Sequence, residues 1–311
     1  MTETVSGKAL QKWRTWAITL ANNNNVDPYE VDWLLQGLTT LTNTTLTLET
    51  YLTQQSISIK VSLSALTEKW QQRISDHTPV QYLTGETPWR DLTLTVTPDV
   101  LIPRPETELI IDIVQQLVNE SPIKEQLLSG HWADVGTGSG AIALSLAKTF
   151  PHTSIHAIDI SKAALTVAKQ NAKKNNITQN LHFHQGSWLT PLDSLKESSS
   201  KQSSSKQFLT GIVSNPPYIP SKTVLTLDPK ITNHEPHLAL DGGPDGLQAI
   251  NTLIQTSIHY LIPGGLWLIE LMTGQAQTVS TLLKLQGSYT HITIHPDLSG
   301  RDRFVSARKS F

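Results

Sequence analysis

Asp134-Val135-Gly136-Thr137-Gly138-Ser139-Gly140 decides the fold of this chain. The short run His131-Trp132-Ala133-Asp134 leads into it, and the apolar run Ala141-Ile142-Ala143-Leu144-Ser145-Leu146-Ala147 leaves it. A strand that turns through glycines into a helix opens a doubly wound α/β domain, because the glycines let backbone approach a ligand and the helix N-terminus favours its polar groups. Gly136, Thr137, Gly138, Ser139 and Gly140 are therefore expected to bind a cofactor. Read as Gly136-x-Gly138-x-x-Ala141, the loop also fits the dinucleotide fingerprint and does not separate nicotinamide from adenosylmethionine.

Downstream, Ser154-Ile155-His156-Ala157-Ile158 reads as a second strand ending in Asp159, placed where an acidic side chain grips ribose hydroxyls. The plainer reading of Asp159 is a helix N-cap before Ser161-Lys162-Ala163-Ala164. His182-Phe183-His184-Gln185-Gly186-Ser187-Trp188 reads as a third strand running into a turn. It brings Trp188 to the same edge, to stack on adenine or simply to fill core.

Phe208-Leu209-Thr210-Gly211-Ile212-Val213-Ser214 reads as a buried strand followed by Asn215-Pro216-Pro217-Tyr218, at the carboxyl end where open α/β sheets bind ligands. Pro-Pro after a strand is often only a rigid turn. Beside a cofactor loop it points to methyl transfer onto a planar nitrogen, whose lone pair is delocalised and whose N–H bonds must be held. The Asn215 side chain and the Pro216 carbonyl supply two acceptors, the prolines stiffen them, and Tyr218 lies on the acceptor plane. Asn215, Pro216 and Tyr218 are the expected catalytic residues; Asn215, Pro216, Pro217 and Tyr218 are expected to contact substrate.

The chain has 311 residues, enough for two domains, and no cysteine, which excludes disulfides, thiol nucleophiles and thiolate metal sites. Its 11 histidines show no metal-ligand spacing, so no metal is expected; His182 and His184 alternate along a strand and read as solvent-facing or structural. The 24 basic and 26 acidic residues form no basic stripe, which argues against tight nucleic-acid binding. No apolar run is long enough to span a membrane and no leader is apparent, so a cytoplasmic protein is expected.

The N-terminal part reads as a separate helical module. Lys8 to Ala21 carries Leu10, Trp13, Trp16, Ala17 and Leu20 at helical spacing. Asp27-Pro28-Tyr29-Glu30 reads as an N-cap, a first-turn proline and a capping glutamate for a helix through Leu38. Leu63, Leu66, Trp70 and Ile74 mark another helix. From Val80 to Val96 the period changes to two, as in a hairpin. The resulting division is 1–78 helical, 79–100 hairpin linker and 101–311 catalytic, with a Ser-rich disordered insertion at 194–206.

These residues resemble the HemK/PrmC-type release factor glutamine methyltransferases. The likeness extends to Gln81-Tyr82-Leu83-Thr84-Gly85-Glu86, Leu101-Ile102-Pro103-Arg104-Pro105-Glu106-Thr107-Glu108, Glu235-Pro236 with Ala239 to Leu247, and Asp297 to Arg303. It implies a Rossmann-like methyltransferase domain that uses S-adenosyl-L-methionine, leaves S-adenosyl-L-homocysteine, and methylates the glutamine of a Gly-Gly-Gln loop in peptide chain release factors. It also implies that the segment at Pro103 to Thr107 leads into the first helix of the catalytic domain, and that Gly136 to Gly140, Asp159 and Trp188 line the cofactor site with Asn215 facing both cofactor and substrate. One departure is Leu271-Met272 before Thr273-Gly274, where the family has an apolar residue and a glycine; it is expected to alter a loop end. The alternatives are methylation of an exocyclic amine of adenine or cytosine in nucleic acid, and a non-catalytic nucleotide-binding protein.

Overall fold

The structure, a computed structural model, describes residues 3–198 and 207–311. It divides into two compact units, Met1–Thr87 with Asp228–His234, and Pro88–Leu227 with Glu235–Phe311.

The first unit is mainly helical. Strand β1 (Glu3–Val5) pairs antiparallel with β2 (Ile57–Ile59), around helices α1 (Gly7–Asn23), α2 (Tyr29–Leu38), α3 (Asn43–Thr47), α4 (Leu63–Ser75) and α5 (Val80–Thr84). Leu10, Trp13 and Ala17 of α1 are buried with Leu34 and Leu35 of α2 and Leu66 and Trp70 of α4. Trp16 departs from the expected stripe: it is 39% exposed. Glu30 does not close a capping box either. Asp27 Oδ1 accepts from the Tyr29 N–H at 3.0 Å, whereas Glu30 forms a buried ion pair with Arg73, whose Nη2 donates to Oε1 at 2.9 Å. An isolated buried guanidinium is costly, so the carboxylate is taken by the tertiary partner and not by the helix end.

Two expected boundaries need correction. Val80–Thr84 is a helix, not the start of a hairpin, because Val80 and Leu83 bury into the helical core and Gly85, at φ 77°, closes the turn. The hairpin itself is shorter, β3 (Glu86–Trp89) with β4 (Leu92–Thr95). Asp228–His234, expected in the catalytic part, belongs to the first unit, where the His234 ring lies 2.6 Å from the Asp76 carbonyl.

In the second unit a 3-10 turn, Pro105–Glu108, precedes α6 (Leu109–Asn119) and α7 (Lys124–Ser129). Then β5 (His131–Val135), α8 (Ala141–Thr149), β6 (Ser154–Asp159), α9 (Lys162–Lys174) and β7 (Leu181–Gln185) alternate. The chain continues through α10 (Asp193–Ser198), β8 (Leu209–Ser214), α11 (Ser221–Val224), α12 (Pro229–Thr232, part of the first unit), α13 (Gln248–Ser257), β9 (Leu261–Glu270), α14 (Ala276–Gln286), β10 (Tyr289–Pro296) and β11 (Asp302–Lys309). The insertion expected as disorder at 194–206 thus begins as helix; residues 199–206 lie outside the described residues.

Seven strands form one sheet in the order β10-β11-β9-β8-β5-β6-β7, parallel from β9 to β7 and antiparallel at β11 and β10. Both faces are covered, as a parallel sheet requires. Leu266 and Leu268 of β9 pack with Ile110, Ile111 and Val114 of α6, while the alternate Trp267 and Ile269 pack with Ile250 and Leu253 of α13 and Val279 of α14. After β5 the chain builds outward through β6 and β7, then crosses back to add β8 on the other side. The carboxyl ends of β5 and β8 therefore diverge at the topological switch point, where open sheets bind ligands. The Ser214 hydroxyl donates to the Val135 carbonyl at 2.6 Å and ties those two ends together.

Candidate active site

A cleft of about 360 Å³ opens at that switch point. Gly136, Thr137, Gly138 and Ser139 line one wall, Asp159 and Trp188 another, and Asn215 and Pro217 a third. Gly140, Pro216 and Tyr218, also expected in the site, do not line it.

The loop owes its path to its glycines. Gly136 and Gly138 sit at φ 77° and 54°, and a Cβ on either would meet no atom within 4 Å, so the backbone is bare toward open space. Gly140 serves packing instead: at φ 85°, a Cβ there would lie 2.7 Å from Leu144 Cδ1 and 3.1 Å from Ala168 Cβ. Asp134, fully buried behind the loop, accepts from the Thr137 hydroxyl at 2.6 Å and the Ala143 N–H at 3.0 Å. Complete burial pushes its carboxyl up to about 7. Asn171, buried on α9, donates to the Ser139 and Thr95 carbonyls at 2.9 Å each, which fixes the loop to β4.

Asp159 is not the helix cap. Ser161 caps α9, its hydroxyl accepting from the Ala164 N–H at 3.1 Å. The Asp159 carboxylate accepts from the Gly138 N–H at 2.9 Å and the Ser161 N–H at 2.8 Å. Burial raises its pKa against those hydrogen bonds. A carboxylate has about four acceptor positions, so it retains capacity for a hydroxyl in the cleft. Trp188 holds a left-handed conformation, φ 51°, which a tryptophan rarely adopts. Much of the rest of the lining is apolar, including Leu101, Ile142, Ile158 and Ile160, with Asp99, Thr107, Ser161 and Ser187 as its further polar members. Bare backbone, a carboxylate and an aromatic-apolar wall together suit a nucleoside.

Asn215 follows β8 directly. Its Nδ2 donates to Thr107 Oγ1 at 3.2 Å, and that hydroxyl donates to Glu270 Oε2 at 2.6 Å. The Tyr218 hydroxyl donates to Glu270 Oε1 at 3.1 Å. Glu270, the last residue of β9, is 1% exposed. Burial raises its carboxyl pKa, while the two hydroxyl donors and the charge of Arg303 pull it down. Burial and the neighbouring carboxylate together raise the Tyr218 phenol, which keeps its proton. The Gln275 amide, in the loop after β9, donates to the Tyr218 carbonyl at 2.9 Å and so supports the tetrapeptide backbone. Leu271, at the start of that loop, is buried in the core. Arg104 Nη2 pairs with Glu235 at 2.7 and 2.8 Å and pins the segment that delivers Pro236, Leu238 and Ala239 to the cleft.

Sequence reasoning gave no role to Thr107, Glu270 or Asn171. The available signal was a lone carboxylate closing the apolar run Leu266-Trp267-Leu268-Ile269, since a charge in that position must be partnered.

Residues 130–222 match a methyltransferase domain family. The release factor glutamine methyltransferase of Synechocystis sp. is 47% identical over 304 residues, covering 98% of this chain and 97% of that protein. The enzyme of the same name from Thermosynechococcus vestitus is 43% identical, with 98% and 99% covered, and that of Gloeobacter violaceus 36%, with 94% of each covered. Among solved structures, the catalytic domain of hMettl16 in complex with MAT2A 3'UTR hairpin 6 aligns with a TM-score of 0.54 at 14% identity, over 89% of this chain and 88% of that one; at that identity the likeness concerns the fold. With such identity over nearly its whole length, the chain belongs to the release factor glutamine methyltransferase family.

Proposed function

We propose that this protein transfers a methyl group from S-adenosyl-L-methionine to the side-chain amide nitrogen, N5, of the glutamine in the Gly-Gly-Gln motif of a peptide chain release factor. The observation that carries the reading is the position of Asn215-Pro216-Pro217-Tyr218 at the carboxyl end of β8, across the cleft from the glycine loop after β5. The extent and identity of the named relatives support it.

Gly136, Thr137, Gly138 and Ser139 would hold the cofactor through backbone, Asp159 would accept from its ribose hydroxyls, and Trp188 would cover its base. When bound, adenosylmethionine supplies an electrophilic methyl group. Asn215 Oδ1 and the Pro216 carbonyl take the two hydrogens of the glutamine amide and turn its lone pair toward that carbon. With the methyl group supplied, Asn215 Oδ1 and the Pro216 carbonyl would keep the amide in place while its surplus proton passes to solvent, and S-adenosyl-L-homocysteine would be the other product. Orientation and fixed dipoles supply the acceleration, since no strong base is needed. The helical module, expected at 1–78, would dock the release factor, and no stable nucleic-acid partner is required.

The test is transfer of labelled methyl from adenosylmethionine to a release factor, to the same factor with its motif glutamine replaced, and to DNA and RNA. Label on the intact factor alone is the expected result. Label on nucleic acid and none on the factor would establish the exocyclic-amine reaction instead.

A further inference from the structure

We propose that Glu270 is a positioning residue that decides which end of the Asn215 amide faces the cleft, acting through the Thr107 hydroxyl; this deepens, and rests on, the methyl-acceptor reading of Asn215. The argument is one of hydrogen polarity. Thr107 has a single hydroxyl hydrogen, and at 2.6 Å from Glu270 Oε2 that hydrogen belongs to the carboxylate. Its oxygen can then only accept, and it accepts from Asn215 Nδ2 at 3.2 Å. An Asn215 amide turned by half a rotation would set Oδ1 against an oxygen with no hydrogen to give. Asn215 Oδ1 is therefore directed away from Thr107, and it bonds to no described residue, while Asn215 itself lines the cleft.

The second oxygen of the same carboxylate completes the device. The Tyr218 phenol has one hydrogen and gives it to Glu270 Oε1 at 3.1 Å. With both oxygens receiving hydrogens, the group acts as an ionised acceptor; a protonated carboxyl would spend its own hydrogen on one of these partners and release the other. The charge of Arg303 favours the ionised form and that of Glu106 opposes it, and Arg303 Nε also lies 3.8 Å from Asp297 Oδ2. One buried charge thus holds both polar members of the tetrapeptide, and the cleft presents an acceptor. Such a site admits a group that brings N–H, as a carboxamide does, and repels one that brings only oxygen lone pairs, such as a glutamate carboxylate. Discrimination of that kind is large when the mismatched polar group stays buried.

The test compares wild type with Thr107→Val, which keeps the shape and removes the hydroxyl, and Thr107→Ser, which restores it. Two readouts are taken: NMR exchange of the Asn215 side-chain amide hydrogens with S-adenosyl-L-homocysteine bound, and, separately, single-turnover methyl transfer from S-adenosyl-L-methionine at saturating release factor. The expected result for Val is faster amide exchange and a saturated rate lowered by roughly 10 to 100-fold, as for loss of one oriented polar group. Product affinity should stay within about threefold, and Ser should recover most of the rate. Glu270→Gln, which offers Thr107 and Tyr218 only one acceptor oxygen between them, gives the same comparison if Val at 107 unfolds the protein. Unchanged Asn215 exchange in these variants overturns the inference. A wild-type enzyme that leaves release factor unmethylated refutes the proposed substrate instead, and the exchange measurement still decides the positioning role.

Discussion

Asn215 carries a donor and an acceptor on one small amide, and only the acceptor end serves a nitrogen nucleophile. On the proposed mechanism its replacement by Ala removes an oxygen that acts mainly while the acceptor lone pair is being aimed, so the saturated rate should fall on the order of 100-fold with little change in cofactor affinity. Single-turnover transfer at saturating release factor measures this, and a variant impaired only in substrate affinity would make Asn215 a turn residue. Tyr218→Phe keeps the ring face but leaves Glu270 Oε1 without its donor. Its rate should fall by about tenfold, between wild type and Asn215→Ala, together with a modest loss of stability. The tetrapeptide was legible as a candidate because its four residues are contiguous in sequence. The carboxylate behind it was not, since Thr107 and Glu270 stand 163 positions apart and meet only across the folded sheet.

The turn from β5 into α8 packs two demands into one loop, and substitution separates them. Gly136→Ala puts a methyl group into open space at φ 77°, so its conformational cost is about 1 kcal/mol. Gly136 lines the cleft, so on the proposed cofactor placement affinity should suffer more than stability. Gly140→Ala adds a clash with Leu144 and Ala168 to a similar φ cost, so the loss of stability should reach about 2–4 kcal/mol. Denaturant unfolding and calorimetric titration with S-adenosyl-L-homocysteine check both; equal stabilities for the two variants would refute the packing role of Gly140. At this scale strands and long helices were readable from period and glycine placement. Val80–Thr84 was not, because five residues with Val80 and Leu83 inward satisfy a helical turn as readily as a strand end. Glu30 misled for a related reason: a capping pattern is local, and Arg73, 43 positions away, outbid the helix terminus for the carboxylate.

Across the sheet lies a second polar cluster, built on β5, β6 and β7 from residues that do not line the cleft. His131 of β5, His156 of β6 and His184 of β7 form a row, with His131 Nδ1 to His156 Nε2 and His156 Nδ1 to His184 Nε2 both at 3.0 Å. His182 stacks on His156 with ring centroids 5.2 Å apart, and Phe208 meets it edge-on. A neutral imidazole has one hydrogen, so His156 donates to one neighbour and accepts from the other; charging it would put hydrogens in both contacts. Burial first, then the neighbouring rings, push His156 down to about 3 and lower His131 and His184 as well. The sequence showed His182 and His184 alternating, but not that three strands in register would bring His156 between them. The sign of the linkage follows from the lowered values. Unfolded histidine takes a proton near pH 6.5 while folded His156 does not, so the stability held above pH 6.5 is lost as pH falls toward 3. For His156 alone the loss between pH 7 and pH 5 is about 2 kcal/mol. Asp134, raised to about 7, works in the opposite direction over the same range, so the wild-type profile alone is ambiguous. His156→Phe keeps a flat ring in the stack and removes the titration. The stability gap between wild type and His156→Phe, from denaturant unfolding at each pH, should shift by about 2 kcal/mol in favour of the variant from pH 7 to pH 5. A gap independent of pH would show that His156 takes up its proton in the folded protein as readily as in the unfolded chain.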